Sequence, residues 1–187
     1  MLNPKATENF IDLYSGSGQW TFLSGGIYNR TYSIDIKKYS REGFMVNAAK
    51  NKVRNCSFVT EKISSEFLKK FIAEEPEFKT TVMLDGPTGQ LEDGILRTLA
   101  EKKVQRIIHV FDDINAVPEQ IRKWRKHGYI LKKIIPFDSK PFSGQVECIA
   151  LLNIDFLGLL DKTKTLKKKQ IKTGPKANTS GIRFVQD

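Results

Sequence analysis

Phe10-Ile11-Asp12-Leu13-Tyr14-Ser15-Gly16-Ser17-Gly18 sets the reading of the whole chain. An apolar run enters a turn with two glycines, and a segment of helical period follows near 18–25. That order predicts a buried strand, a loop and a helix. Glycines in such a loop let the backbone approach a ligand closely, and the helix N-terminus behind it favours a negative group. A dinucleotide fingerprint would need a third glycine at position 21, where this chain has Thr21, and a P-loop would need Gly-Lys-Ser/Thr. Neither pattern is present. Asp35 closes the next apolar run, Tyr32-Ser33-Ile34-Asp35, where a doubly wound sheet presents a carboxylate to both hydroxyls of a ribose. Asp85 closes a later one, Val82-Met83-Leu84-Asp85. Asp12, Asp35 and Asp85 are thereby expected at one sheet edge with the glycine turn, against the plainer reading that each caps the helix after it.

Outward from this loop, short apolar runs alternate with amphipathic segments. Strands are predicted at Phe10–Tyr14, Thr31–Ile36, Ser57–Thr60, Thr80–Asp85, Arg106–Phe111, Ile130–Phe137 and Gln145–Asn153. Helices are predicted near 18–25, 40–52, 64–74, 92–102 and 116–127, the last with Pro118 in its first turn and Gly128 past its end. Alternation of this kind gives an α/β fold with a parallel sheet covered on both faces. Only Phe-Asp-Ser-Lys-Pro-Phe-Ser-Gly (137–144) separates the last two strands, so they are expected to pair as an antiparallel hairpin.

Of the 187 residues, 40% are apolar and 12 are Phe, enough for a real core. Cys56 and Cys148 are too few for a disulfide framework or a cysteine-rich zinc site, and two unclustered histidines, His109 and His127, make no metal site. The N-terminus lacks a charged and apolar leader, and the most apolar stretch, 149–160, is short and interrupted by Asn153 and Asp155. A cytoplasmic protein without a membrane span is the expectation. The net charge of +10 is uneven: residues 161–187 hold eight basic and two acidic side chains, leaving +4 for 1–160. The chain thus divides into a folded domain, 1–160, and a basic tail, 161–187. The tail, with Lys167, Lys168 and Lys169, suits RNA phosphates or serves as a solvated, solubilising end.

The run Asp12-Leu13-Tyr14-Ser15-Gly16-Ser17-Gly18 is similar to the cofactor loop of class I S-adenosylmethionine-dependent methyltransferases, specifically the catalytic domain of RNA 5-methyluridine (uracil-C5) methyltransferases. Asn55–Val59 with Glu61, Leu84-Asp85-Gly86-Pro87, His127-Gly128-Tyr129, Pro136-Phe137-Asp138, Pro141 and Val146-Glu147 extend the resemblance from about Phe10 to Asn153. It implies a Rossmann-like seven-stranded sheet ordered 3-2-1-4-5-7-6 with the last strand antiparallel. It also implies S-adenosylmethionine as cofactor, held by Asp12, Tyr14, Gly16, Gly18, Asp35 and Asp85, and rRNA or tRNA as substrate.

The chain departs from the family where the chemistry is specific. Uracil C5 becomes nucleophilic only after a thiolate adds at C6, and a base must then remove the C5 proton. The segment Val110-Phe111-Asp112-Asp113-Ile114 puts Asp112 where the family has its Cys. Gln145 replaces the His of Gly-His-x-Glu, while Glu147 keeps the base position, and Thr88 replaces the Arg of Asp-Pro-Pro-Arg. Cys56 and Cys148 read as buried structural thiols. A non-covalent methyltransferase with Asp112 or Glu147 as base is therefore the leading expectation. The alternative is a catalytically silent RNA-binding or assembly factor of the same fold; a nicotinamide site is a third reading, opposed by Thr21 and the terminal hairpin. Lys140 and Phe142 in the hairpin loop are candidates for phosphate and base contact, against a plain hairpin tip. A protein partner is the expected source of the family's upstream RNA-binding portion.

Overall fold

The computed structural model describes residues 7–24, 26–73, 79–86, 93–138, 141–143 and 145–155. The strands are β1 (Glu8–Leu13), β2 (Arg30–Asp35), β3 (Cys56–Thr60), β4 (Lys79–Leu84), β5 (Arg106–Phe111), β6 (Tyr129–Phe137) and β7 (Glu147–Ile154). Between them lie α1 (Gln19–Ser24), α2 (Lys38–Asn51), α3 (Ser65–Ala73), α4 (Asp93–Glu101) and α5 (Val117–Lys126), the last preceded by a 3-10 turn at Ile114–Ala116. The sheet runs β3-β2-β1-β4-β5-β7-β6. Its first five strands are parallel, and β7 pairs antiparallel with both β5 and β6. This is the expected Rossmann-like order, and each expected element is present within a few residues.

Burial follows from that topology. β1, enclosed between β2 and β4, is buried along its whole length, including Glu8, Asn9 and Asp12. β7 alternates between fully and partly buried residues, so its two faces meet different surroundings. On one face Ile107, His109 and Phe111 stand opposite Leu152, Ala150 and Cys148, all sealed from solvent. Trp124 of α5 closes this side, its Nε1–H donating to His109 Nδ1 at 3.1 Å and its ring edge-on to Tyr129. His109 is a core residue, as expected, and burial pushes its pKa down to about 3. Pro118 and Gly128 bracket α5 as expected, Gly128 at φ 87°. Cys148 is sealed, but Cys56 is half-buried, a correction to the expectation that both thiols are enclosed. The reason is position: β3 is the edge strand of the sheet.

Candidate functional site

The loop after β1, the exit of β2 and the residues after β4 surround a cavity of about 610 Å³ at the C-terminal edge of the sheet. Tyr14, Gly16, Ser17, Asp35 and Asp85 line it, joined by Ile36, Lys37, Tyr39, Ser40, Lys62 and Ile63. In an open α/β sheet this edge is where ligands bind.

Asp35 fixes the local geometry. Its Oδ2 accepts the Gly16 N–H at 3.0 Å and its Oδ1 accepts the Lys37 N–H at 2.8 Å. The carboxylate therefore clasps the glycine loop to the β2 exit. A carboxylate offers about four acceptor sites, so each oxygen keeps capacity for a ligand hydroxyl. Ile36 and Tyr39 beside it expose large apolar surfaces, 59% and 67%, on the cavity wall.

The two loop glycines serve different ends. Gly16 (φ 52°) has nothing within 4 Å of where a Cβ would stand, so it opens directly onto space. Gly18 (φ 88°) is closed over: a Cβ there would lie 2.7 Å from the Phe22 ring and 2.8 Å from Phe44. Gly18 thus lets α1 pack on α2, while Gly16 forms the cradle. Tyr14 takes a left-handed φ of 62°, and its ring lies against Gly86, where a Cβ would come within 2.5 Å. The glycine after Asp85 is what allows this aromatic wall.

Asp12 does not face the cavity, and its expected place among the cofactor-facing residues is corrected. It is fully buried, with Oδ2 accepting the Thr21 N–H at 3.0 Å and the Thr21 hydroxyl at 2.8 Å. Thr21 in turn shares a 2.5 Å hydrogen bond with Ser33 Oγ. Burial, opposed by the Thr21 bonds and reinforced by the charges of Asp85 and Asp35, raises the Asp12 pKa to about 7. Thr21 occupies the position of a third glycine because its side chain and backbone hold this buried acid.

Asp85 accepts a hydrogen bond from Trp20 Nε1–H at the start of α1. Burial raises its pKa; the Trp20 bond counters, and the negative charges of Asp112 and Glu147 raise it further. The fold thus brings Asp85, Asp112 and Glu147 to one corner, from the ends of β4 and β5 and the start of β7. Asp113 is set apart, capping the 3-10 turn by accepting the Asn115 N–H at 2.8 Å. Neither thiol is activated: burial raises the pKa of both Cys56 and Cys148, and Cys148 is on the sealed face.

Phe142 is fully exposed at φ 70° in the β6–β7 loop. Lys140 and the tail lysines Lys167, Lys168 and Lys169 lie outside the described residues. Among the described residues, no group of three or more His, Cys, Asp or Glu is placed to hold a metal, and no helix is long and apolar enough to cross a membrane. Trp20, Lys37, Tyr39 and Lys62 were not singled out by sequence reasoning. The exposed apolar pair Ile36 and Tyr39 directly after a strand-end acid was the available signal.

Strand order and the ligand edge define a class: the chain has the Rossmann-like fold of S-adenosylmethionine-dependent methyltransferases. No family model matches the chain. It is 24% identical over 142 residues to an uncharacterized RNA methyltransferase of Fusobacterium nucleatum, covering 76% of this chain and 30% of the relative. It is 26% identical over 142 residues to another from Streptococcus agalactiae, covering 76% and 31%. The chain therefore spans about a third of the length of these curated relatives. Among solved structures, the tRNA (uracil-54, C5)-methyltransferase of Pyrococcus abyssi in complex with S-adenosyl-L-homocysteine superposes with a TM-score of 0.61. That match has 21% identity and covers 79% of this chain and 35% of the other. An rRNA methylase of Streptococcus thermophilus gives 0.59 at 14% identity, covering 81% and 89%.

Proposed function

We propose that the cavity binds S-adenosylmethionine and that the protein methylates RNA without a covalent enzyme–base adduct. The observation that carries this reading is the open Gly16 cradle beneath the Asp35 carboxylate, at the sheet edge where α/β folds take nucleoside ligands. The residues present fit the cofactor. Asp35 has acceptor capacity for ribose hydroxyls, Ile36 and Tyr39 offer apolar surface to a purine, and the Gly16–Ser17 backbone borders room for an amino-acid moiety.

When bound, S-adenosylmethionine supplies a sulfonium-activated methyl group and departs as the homocysteine thioether. Tyr14, stacked on Gly86, walls the cavity beside Asp85. Asp112 and Glu147 stand close enough to Asp85 to raise its pKa, and in this reading either carboxylate takes the proton that a nitrogen or ribose-oxygen acceptor loses as it forms its bond to carbon. Uracil C5 would need a nucleophilic thiolate, and the family resemblance puts Asp112 in its place. That substitution favours a second reading, a silent factor that keeps the cofactor site.

Calorimetric titration with S-adenosylmethionine and S-adenosylhomocysteine, with NADH as control, tests the cavity; transfer of labelled methyl to rRNA and tRNA tests the chemistry. Binding with transfer supports the proposal, and binding without transfer selects the silent factor. Binding of NADH in place of the other two overturns both.

A further inference from the structure

Residues 1–160 carry a net charge of +4, yet the stretch 120–137 alone carries +6 and contains no Asp or Glu, so the rest of that body is −2. Outside the tail two 18-residue stretches are strongly basic, 37–54 at +5 and 120–137 at +6, and the second, made of α5, the Gly128 turn and β6, is the one with no acid to offset it. Its six cations are Arg122, Lys123, Arg125, Lys126, Lys132 and Lys133, and all are exposed. Two are engaged locally: Lys123 pairs with Glu119 at 3.1 Å, and Arg122 Nε–H donates to the Pro118 carbonyl at 3.2 Å.

The fold gathers this segment along one border. β6 is the terminal strand of the sheet, and the Trp124–Tyr129 ring contact holds α5 against its start. A bulge between Leu131 and Lys133 interrupts pairing at Lys132. Edge-strand lysines guard against unwanted pairing, which accounts for a charge on β6 but not for the cations of α5. The local field is consistent: besides burial, Arg97 and Lys126 press the His127 imidazole below its ordinary pKa, against the pull of Glu101. β6 also points toward the site. Its last residue, Phe137, pairs with Glu147, and the exposed Phe142 lies in the loop just beyond. From Lys132 to Phe137 is about 17 Å at a strand's rise per residue.

We propose that the α5–β6 border is a contact for the RNA backbone, with Arg125, Lys126, Lys132 and Lys133 neutralising phosphates and leading the strand to the Asp112–Glu147 corner. The inference takes its polyanion from the RNA-substrate reading and is independent of cofactor binding. Phosphate contacts position a nucleic acid without reading its sequence. Each one releases counterions, so it shows as salt dependence.

The test compares the full-length wild-type chain with two variants that each lose four positive charges. One is Arg125→Ala, Lys126→Ala, Lys132→Ala and Lys133→Ala. The other is Arg41→Ala, Lys50→Ala, Arg54→Ala and Lys79→Ala, at exposed sites on α2, its exit and the start of β4. Binding to a fluorescein-labelled mixed-sequence RNA is titrated without cofactor over a series of salt concentrations. Thermal melting checks that each variant is folded. The border variant should bind about tenfold or more weakly, with a log–log salt slope shallower by about 3, while the other stays close to wild type. Equal losses in both variants would mean that only total charge matters and overturn the inference. So would an unchanged slope in the border variant or absence of RNA binding by wild type. A chain that fails to bind S-adenosylmethionine but shows the border effect keeps this inference and loses the function proposed above.

Discussion

The sheet's two faces around β5 and β7 are closed by different tryptophans, and they are built to different standards. Trp124 is fully buried, bonded to His109 and packed on Tyr129, over strand residues that are themselves sealed. Trp20, on the opposite face, is half-buried among Phe10, Met83, Ile108, Ile149 and Leu151 beside an apolar pocket of about 220 Å³. Leu23 at its rim is 70% exposed. The indole N–H of Trp124 satisfies a buried core nitrogen, whereas that of Trp20 holds Asp85 at the ligand cavity. One face carries stability. The other trades close packing for a link between helix α1 and the site.

The sharpest way to break this contrast is Trp124→Ala, which should cost about 3–5 kcal/mol by chemical denaturation, as large-to-small changes in sealed cores do. Trp20→Ala should cost well under half of that, and equal losses would show that the two faces are packed alike. Next in size, Asp35→Ala removes the clasp on the glycine loop together with the proposed ribose acceptor. Affinity for S-adenosylmethionine should fall by about 2 kcal/mol, roughly 30-fold, in a calorimetric titration. Unchanged affinity would place the ligand elsewhere.

A smaller effect probes the open face alone. Trp20→Phe keeps most of the apolar contact and removes the donor to Asp85. Because that bond lowers the Asp85 pKa, its loss should move the midpoint of any pH dependence in cofactor binding upward, with melting temperature little changed. A lowered midpoint, or a collapse in stability, contradicts the assigned role.

The strand order and the glycine loop were legible because they rest on periodicity and on backbone conformation, which the residues themselves carry. Asp35 was legible for the same reason: a carboxylate closing a short apolar run has few places to go. Asp12 and Thr21 were not. From spacing alone, an acid before a glycine turn looks like a ligand, and only the packing of α1 on β1 shows it sealed from solvent with one carboxylate oxygen held by Thr21. Trp20 was equally hidden, since its bond to Asp85 spans 65 residues. The acid corner became visible when the antiparallel return of β7 brought Glu147 beside the ends of β4 and β5.

Each face also buries a group whose pKa is moved across the acid range, Asp12 on one and His109 on the other, and their pH effects have opposite signs. Asp12, on the side of α1, has its pKa raised from 3.8 to about 7, so the folded state holds the proton longer. Its contribution to stability is present below pH 3.8 and is lost as pH rises through about 7. His109, under Trp124, has its pKa lowered from 6.5 to about 3, so folding excludes its proton. Its contribution is present above pH 6.5 and is lost as pH falls through about 3. Between roughly pH 4 and 6.5 the two slopes oppose each other, and the wild-type melting temperature should change little. Asp12→Asn keeps an acceptor for Thr21 but removes the titration, so the His109 slope stands alone. Its melting temperature should then rise with pH across that window, measured by calorimetry in matched buffers. A flat profile in the variant would mean that His109 takes up its proton as readily in the folded protein as in the unfolded chain, and the sealed face would be less closed than its packing shows.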